Sequence, residues 1–120
     1  MDKTLIDIDY NKWAYRLNNK NKYRFGPKYQ KITGEQLKTM LEYFNYKCAY
    51  TGRELTKDNL SIDHIFSRKN KGVHAIYNIV PCNIEVNQMK STKNNFIWLT
   101  EENEENIFEW IAIAYTKWGK

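Results

Sequence analysis

Apolar positions in this chain recur at two periods, and the switch between them lays out the elements. Tyr10, Trp13, Ala14 and Leu17 stand three, four and seven apart, the spacing of one helix face, which predicts a first amphipathic helix over 9–17. Thr33 with Gln36 three residues on makes a capping box, and Leu37, Met40, Leu41 and Phe44 then form one stripe, predicting a second helix. From Leu60 the period falls to two. Leu60, Ile62, His64 and Phe66 alternate with Ser61, Asp63 and Ile65, a strand pattern that sets Asp63 and His64 on opposite faces unless a bulge or the strand end brings them together.

Between and after these elements the pattern is weaker. Asn18 to Lys31 lacks clear periodicity, contains Gly26-Pro27 and interleaves Lys22, Tyr23, Arg24, Phe25, Lys28 and Tyr29, so it reads as a loop or short extended arm, with Asn18 to Lys22 a solvated connector. Cys48 to Gly52 suits a short strand running into a turn, with Leu55 beneath it. The basic tip Arg68, Lys69 and Lys71 with Gly72 reads as a hairpin loop, returning through Val73 to Tyr77, with His74 either near the active site or, as the hairpin favours, at the surface. Pro81 is suited to open a short helix carrying Ile84, Asn87, Met89 and Lys90, because its missing N–H costs nothing at the first helical position. Phe96 to Leu99 makes a further apolar piece. Thr100 then caps a helix with a Glu-rich first turn, as the helix dipole favours, and Ile107, Trp110, Ile111, Ala114 and Trp118 face inward. The order is helix, helix, two short strands, helix, helix, an α+β fold.

Length and charge narrow the function classes. At 120 residues one domain is expected, 1–120, with a basic and aromatic helical lead-in over 1–47 and a strand-like piece and helix over 95–120. The net charge is +5, and residues 1–31 carry eight basic against three acidic groups, whereas 100–120 carry two against five. A basic, 15% aromatic protein fits a polyanion partner. Two cysteines are too few for a disulfide framework, no apolar signal segment opens the chain, and no run is long enough to span a bilayer. A reduced, cytoplasmic setting without membrane contact is the expectation.

The chemistry concentrates within 25 residues. Asp63-His64 closes the strand pattern, Asn78 follows across the basic segment, and Asn87 comes nine residues later with Lys90 behind it. A carboxylate and an amide oxygen are hard ligands for a divalent cation, an imidazole beside them can take a proton from water, and a second Asn can hold that imidazole. These are the parts of a one-metal phosphodiesterase.

Asp63-His64-Ile65 after an apolar strand, Asn78-Ile79-Val80-Pro81, then Asn87-Gln88-Met89-Lys90, preceded by Cys48-Ala49-Tyr50-Thr51-Gly52, resembles the HNH endonuclease family over 48–94. The Asn-to-Asn interval is similar to that in HNH domains of RNA-guided CRISPR nucleases, and phage HNH endonucleases share the pattern. The resemblance implies a ββα-metal unit with flanking amino- and carboxy-terminal helices, cutting DNA with magnesium, manganese or another divalent cation. It implies Asp63 and Asn87 as metal ligands, His64 as general base and Asn78 as the residue fixing the His64 ring. Arg68, Lys69, Lys71 and Lys90 are then candidates to hold phosphates flanking the cut. Where the zinc-stapled branch has two Cys pairs, this chain has only Cys48 and Cys82, with Thr51 and Val86 in the other places, so no structural zinc is expected and both thiols should fill the core. The family reading places the chain in a bacterial or phage-infected host cell. It leaves open a homodimer or larger nuclease assembly, a non-cleaving DNA-binding subunit of the same fold, and an RNA-directed or toxin-like nuclease.

Overall fold

The computed structural model describes residues 8–92 and 99–119. Among the described residues, four α-helices and a two-stranded antiparallel sheet follow one another as α1 (Tyr10–Phe25), α2 (Gly34–Tyr43), β1 (Leu60–His64), β2 (Ile79–Asn83), α3 (Ile84–Thr92) and α4 (Glu101–Trp118). The α+β class and the order of elements are as the sequence predicts. One apolar cluster joins all parts of the chain, from Ala14 and Ile32 through Leu37, Met40, Leu41, Tyr50, Val80 and Cys82 to Ile107, Trp110 and Ala114.

Local chemistry sets the helix starts. Asp9 accepts from Lys12 N–H at the head of α1, and Thr33 and Gln36 exchange both bonds of the capping box at the head of α2. Such a cap contributes on the order of 1 kcal/mol. Thr100 accepts from Asn103 N–H before α4, whose first turn holds Glu101, Glu102 and Glu104. On its inner face Trp110 is fully buried, and its indole N–H donates to the Ile79 carbonyl at 3.1 Å. That bond fixes α4 against the start of β2.

The first helix runs eight residues past the expected end at Leu17, so the stretch read as a solvated connector and extended arm is helical through Phe25. Its buried positions are Ala14, Asn18, Asn21 and Phe25, a helical stripe interrupted by two amides. Asn18 is tolerated inside because it pairs with a peptide: its amide nitrogen donates to the Ile32 carbonyl at 2.7 Å, and Ile32 N–H donates back to its oxygen at 3.0 Å. Gly26, at φ 52°, ends the helix in a conformation that suits glycine.

Three further expectations are corrected. Residues 48–52 form a turn instead of a strand, with Gly52 N–H on the Cys48 carbonyl and Leu55 buried as expected. The chain returns to the sheet later than Val73, since β2 begins at Ile79; the connection holds two short 3-10 turns, Arg68–Asn70 and Ile76–Asn78. Gly72 lies so close beneath the Phe66 carbonyl that a Cβ there would collide with it. Pro81 stands in β2, opposite Ile62, and α3 opens at Ile84. The Pro81 carbonyl accepts from Ala49 N–H and so points away from β1; in an antiparallel pair its nitrogen points the same way, and the missing N–H removes no ladder bond. The apolar piece Phe96 to Leu99 lies outside the described residues except for Leu99, which packs against the core.

Candidate active site

Pairing in the sheet is regular to the end of β1, with Asp63 opposite Val80 and His64 opposite Ile79. No bulge intervenes, so alternation sends the two side chains to opposite sides of the strand, with His64 at its last position.

On the Asp63 side, the Tyr50 hydroxyl donates to the carboxylate at 2.5 Å. Tyr50 is 1% exposed. Burial first, and then the adjacent Asp63 charge, push its hydroxyl well above the usual phenol range, so it stays a proton donor at any working pH. The tyrosine is placed by the 48–52 turn, which Ala49 N–H ties to Pro81 and the Asn103 amide ties to α4 at the Tyr50 carbonyl. Asn87 reaches the same region from α3. Its amide nitrogen donates to Ser61 Oγ at 2.8 Å and to the Ile62 carbonyl at 3.2 Å. Ser61 and Asp63 share a face of β1, so Asn87 reaches the face that carries the carboxylate; its nitrogen is engaged there, and its oxygen is the end suited to a cation.

These donors fit a hard divalent ion. Among the described residues no group of three or more His, Cys, Asp or Glu side chains is placed to hold a metal. With two protein ligands, an ion at Asp63 and Asn87 would complete its shell with water and substrate oxygens, as magnesium readily does.

The His64 side has a different construction. Its ring lies against Phe25, with centroids 4.8 Å apart, and its Nε2 is 3.0 Å from His74 Nδ1. His74, expected at a hairpin surface, is 0% exposed. Tyr29 stacks on it at 5.2 Å, its Nε2 meets Asn18 Oδ1 at 3.0 Å, and its backbone bonds to Lys28 and Gln30. Desolvation lowers its pKa to about 4, so the ring is neutral near pH 7. Sequence reasoning favoured the surface for His74 over a place near the site, and it missed Asn18 and Tyr50. The available signals were the apolar neighbours Val73, Ala75 and Ile76 around His74, and the helical interval from Ala14 to Asn18 to Phe25 around Asn18.

Asn78, expected to fix the His64 ring, instead spends its amide on the chain beyond His64. Its amide nitrogen donates to the Phe66 and Val73 carbonyls at 3.0 and 2.7 Å, and its side-chain oxygen accepts from Phe66 N–H at 3.0 Å. Its main-chain oxygen takes Ile65 N–H at 2.8 Å. It thus clamps the two ends of the connection that leaves His64. Arg68, Lys69 and Lys71 are exposed on that connection, where the Arg68 guanidinium donates to the Arg24 carbonyl at the end of α1. The Lys90 side chain lies outside the described residues. Cys48 and Cys82 are buried in the core, 2% and 0% exposed.

Residues 48–96 match the family described as HNH endonuclease, a span that begins at the Tyr50 turn and takes in both strands and α3. No curated protein and no solved structure matches the chain. Among the described residues no helix is long and apolar enough to cross a membrane.

Proposed function

We propose, from the match of residues 48–96 to the family described as HNH endonuclease, that the chain is a divalent-metal-dependent endonuclease hydrolysing phosphodiester bonds in DNA. The observation that carries this reading is the tie from Asn87 to Ser61 and Ile62, which sets an amide beside Asp63 while His64 is held separately at the strand end. A divalent cation, magnesium or manganese, supplies Lewis-acid neutralisation of phosphoryl charge when bound. Asp63 and Asn87 hold it, and Tyr50 orients the Asp63 carboxylate. His64 takes a proton from the water that attacks phosphorus; as the new P–O bond forms, the bond to the leaving oxygen breaks, and that oxygen is protonated from solvent. Asn78 keeps the chain beyond His64 closed. Arg68, Lys69, Lys71 and Lys90 take the flanking phosphates, which sets register without reading sequence.

Supercoiled plasmid incubated with magnesium, with and without excess chelator, tests the reading. Nicked or linear product from the wild type that needs the metal, and that His64→Ala fails to make at a comparable rate, is the expected result. Retarded but uncut plasmid would point to a non-cleaving DNA-binding subunit. Cutting of RNA in preference to DNA would move the substrate class.

A further inference from the structure

We propose that His74 is a positioning residue which, anchored by Asn18, holds His64 in the tautomer with its proton on Nε2 and its lone pair on Nδ1. This rests on the reading of His64 as general base.

The argument runs from a peptide outward. The Asn18 amide pairs with Ile32 at two points, nitrogen to carbonyl at 2.7 Å and oxygen to N–H at 3.0 Å, which settles which end of the amide is oxygen. An amide oxygen only accepts, so His74 Nε2, 3.0 Å from it, is a donor. A neutral imidazole has one N–H, and His74 is neutral because it is wholly buried between Tyr29, Phe25 and its two polar partners. Its Nδ1 is therefore an acceptor, and His64 Nε2, 3.0 Å away, donates to it. In neutral His64 the lone pair then belongs to Nδ1.

No member of this series can reverse alone. Turning the His64 proton to Nδ1 would set two lone pairs against each other in a part-buried contact, and turning His74 would set its lone pair against the Asn18 oxygen in a buried one. His74 cannot swing away either, since its N–H is on the Lys28 carbonyl, its carbonyl takes Gln30 N–H, and Tyr29 covers its face. A general base must present a lone pair at one defined atom, so the arrangement serves the chemical step more than DNA binding. Asn18, Phe25, Tyr29 and Ile32 all lie outside the segment 48–96, which makes the amino-terminal helix part of the active site.

The chain has two histidines, which makes the test direct. Long-range proton–nitrogen NMR correlations on the labelled full-length protein, at a pH where both rings are neutral, should show the Nε2–H pattern for both. An Nδ1–H pattern for His64 overturns the proposal without any variant. In cleavage assays His74→Leu, which offers His64 no acceptor, should lower kcat about 10-fold or more with little change in KM for DNA, and the His64 pattern should become mixed. His74→Gln can accept from His64 and donate to Asn18, and should recover most of both. A wild-type kcat with an unchanged His64 pattern in His74→Leu, or no recovery in His74→Gln, would refute the relay. Wild-type cleavage rates in His64→Ala would instead overturn the general-base reading and with it the catalytic meaning of the relay, while the spectrum still reports the tautomer.

Discussion

The two sides of β1 are assembled from different stretches of chain. On the Asp63 side the partners described above, Tyr50, Ser61 and Asn87, all fall within residues 48–96. On the His64 side the ring meets Phe25 and His74, and His74 meets Asn18 and Tyr29, so three of those four partners come from the lead-in before residue 48. The ligand side can be built by the ββα unit itself. The base side borrows its support from α1 and the turn after it.

The comparison breaks most severely at the carboxylate. Asp63→Ala should abolish cleavage while far-UV circular dichroism stays native, because it removes the only anionic ligand; full activity in this variant, or in excess chelator, would overturn the metal assignment. His64→Ala should reduce single-turnover cleavage by roughly 100-fold or more, in line with general-base contributions of about 100 to 10,000-fold, and leave DNA affinity nearly unchanged in a filter-binding assay.

Acid should separate the two sides next. The His74 pKa is lowered to about 4 in the fold, against about 6.5 for an unperturbed His. Between those values the unfolded chain binds a proton that the native state does not, so stability rises with pH; the contribution is full above about 6.5 and is lost as pH falls toward 4. It amounts to on the order of 3 kcal/mol at about 1.4 kcal/mol per unit. Carboxylates also respond in this range, so the measure is the difference in urea midpoints between wild type and His74→Gln at pH 7 and pH 4.5. An equal acid loss in both proteins would show that His74 does not carry it.

Tyr50→Phe sharpens the ligand side. Removing the Tyr50 donor from the buried Asp63 carboxylate should cost about 1–3 kcal/mol of stability and raise the magnesium concentration giving half-maximal rate about 10-fold. An unchanged magnesium requirement would reduce Tyr50 to a packing residue. The smallest effect concerns the thiols: Cys48→Ser and Cys82→Ser should each lose some stability through a buried hydroxyl yet leave the metal content unchanged, and one tightly held zinc per wild-type chain would refute that expectation.

What was legible in the sequence divides along the same line. On the Asp63 side the strand alternation and a helix bearing Asn87 were plain, but nothing in the sequence paired Tyr50 with Asp63, because that contact depends on a turn at 48–52 where the pattern suggested a strand. The capping box at Thr33 and the Trp110 stripe were equally plain. The His64 side was hidden by amides on an inner helical face. Asn18 and Asn21 read as solvent-facing, and only the Ile32 peptide, fourteen residues on, explains why Asn18 is buried. Pro81 misled for a related reason, since its carbonyl direction in the sheet decides whether its missing N–H matters, and local sequence does not encode that direction.

The tie between Asn18 and His74 spans 56 residues, whereas Tyr50 reaches Asp63 across 13 and Asn87 reaches Ser61 across 26. Loop-closure entropy grows with the logarithm of length, so closing the longer loop costs about 1 kcal/mol more than closing the shortest. During folding the Asp63 side and the His64–His74 contact are therefore expected to form first, and the Asn18 anchor of His74 last. On the proposed reading, a chain still emerging or partly opened would present Asp63 and Asn87 before the proton of His64 is fixed, and fraying of α1 would lower cleavage before the rest of the fold is lost.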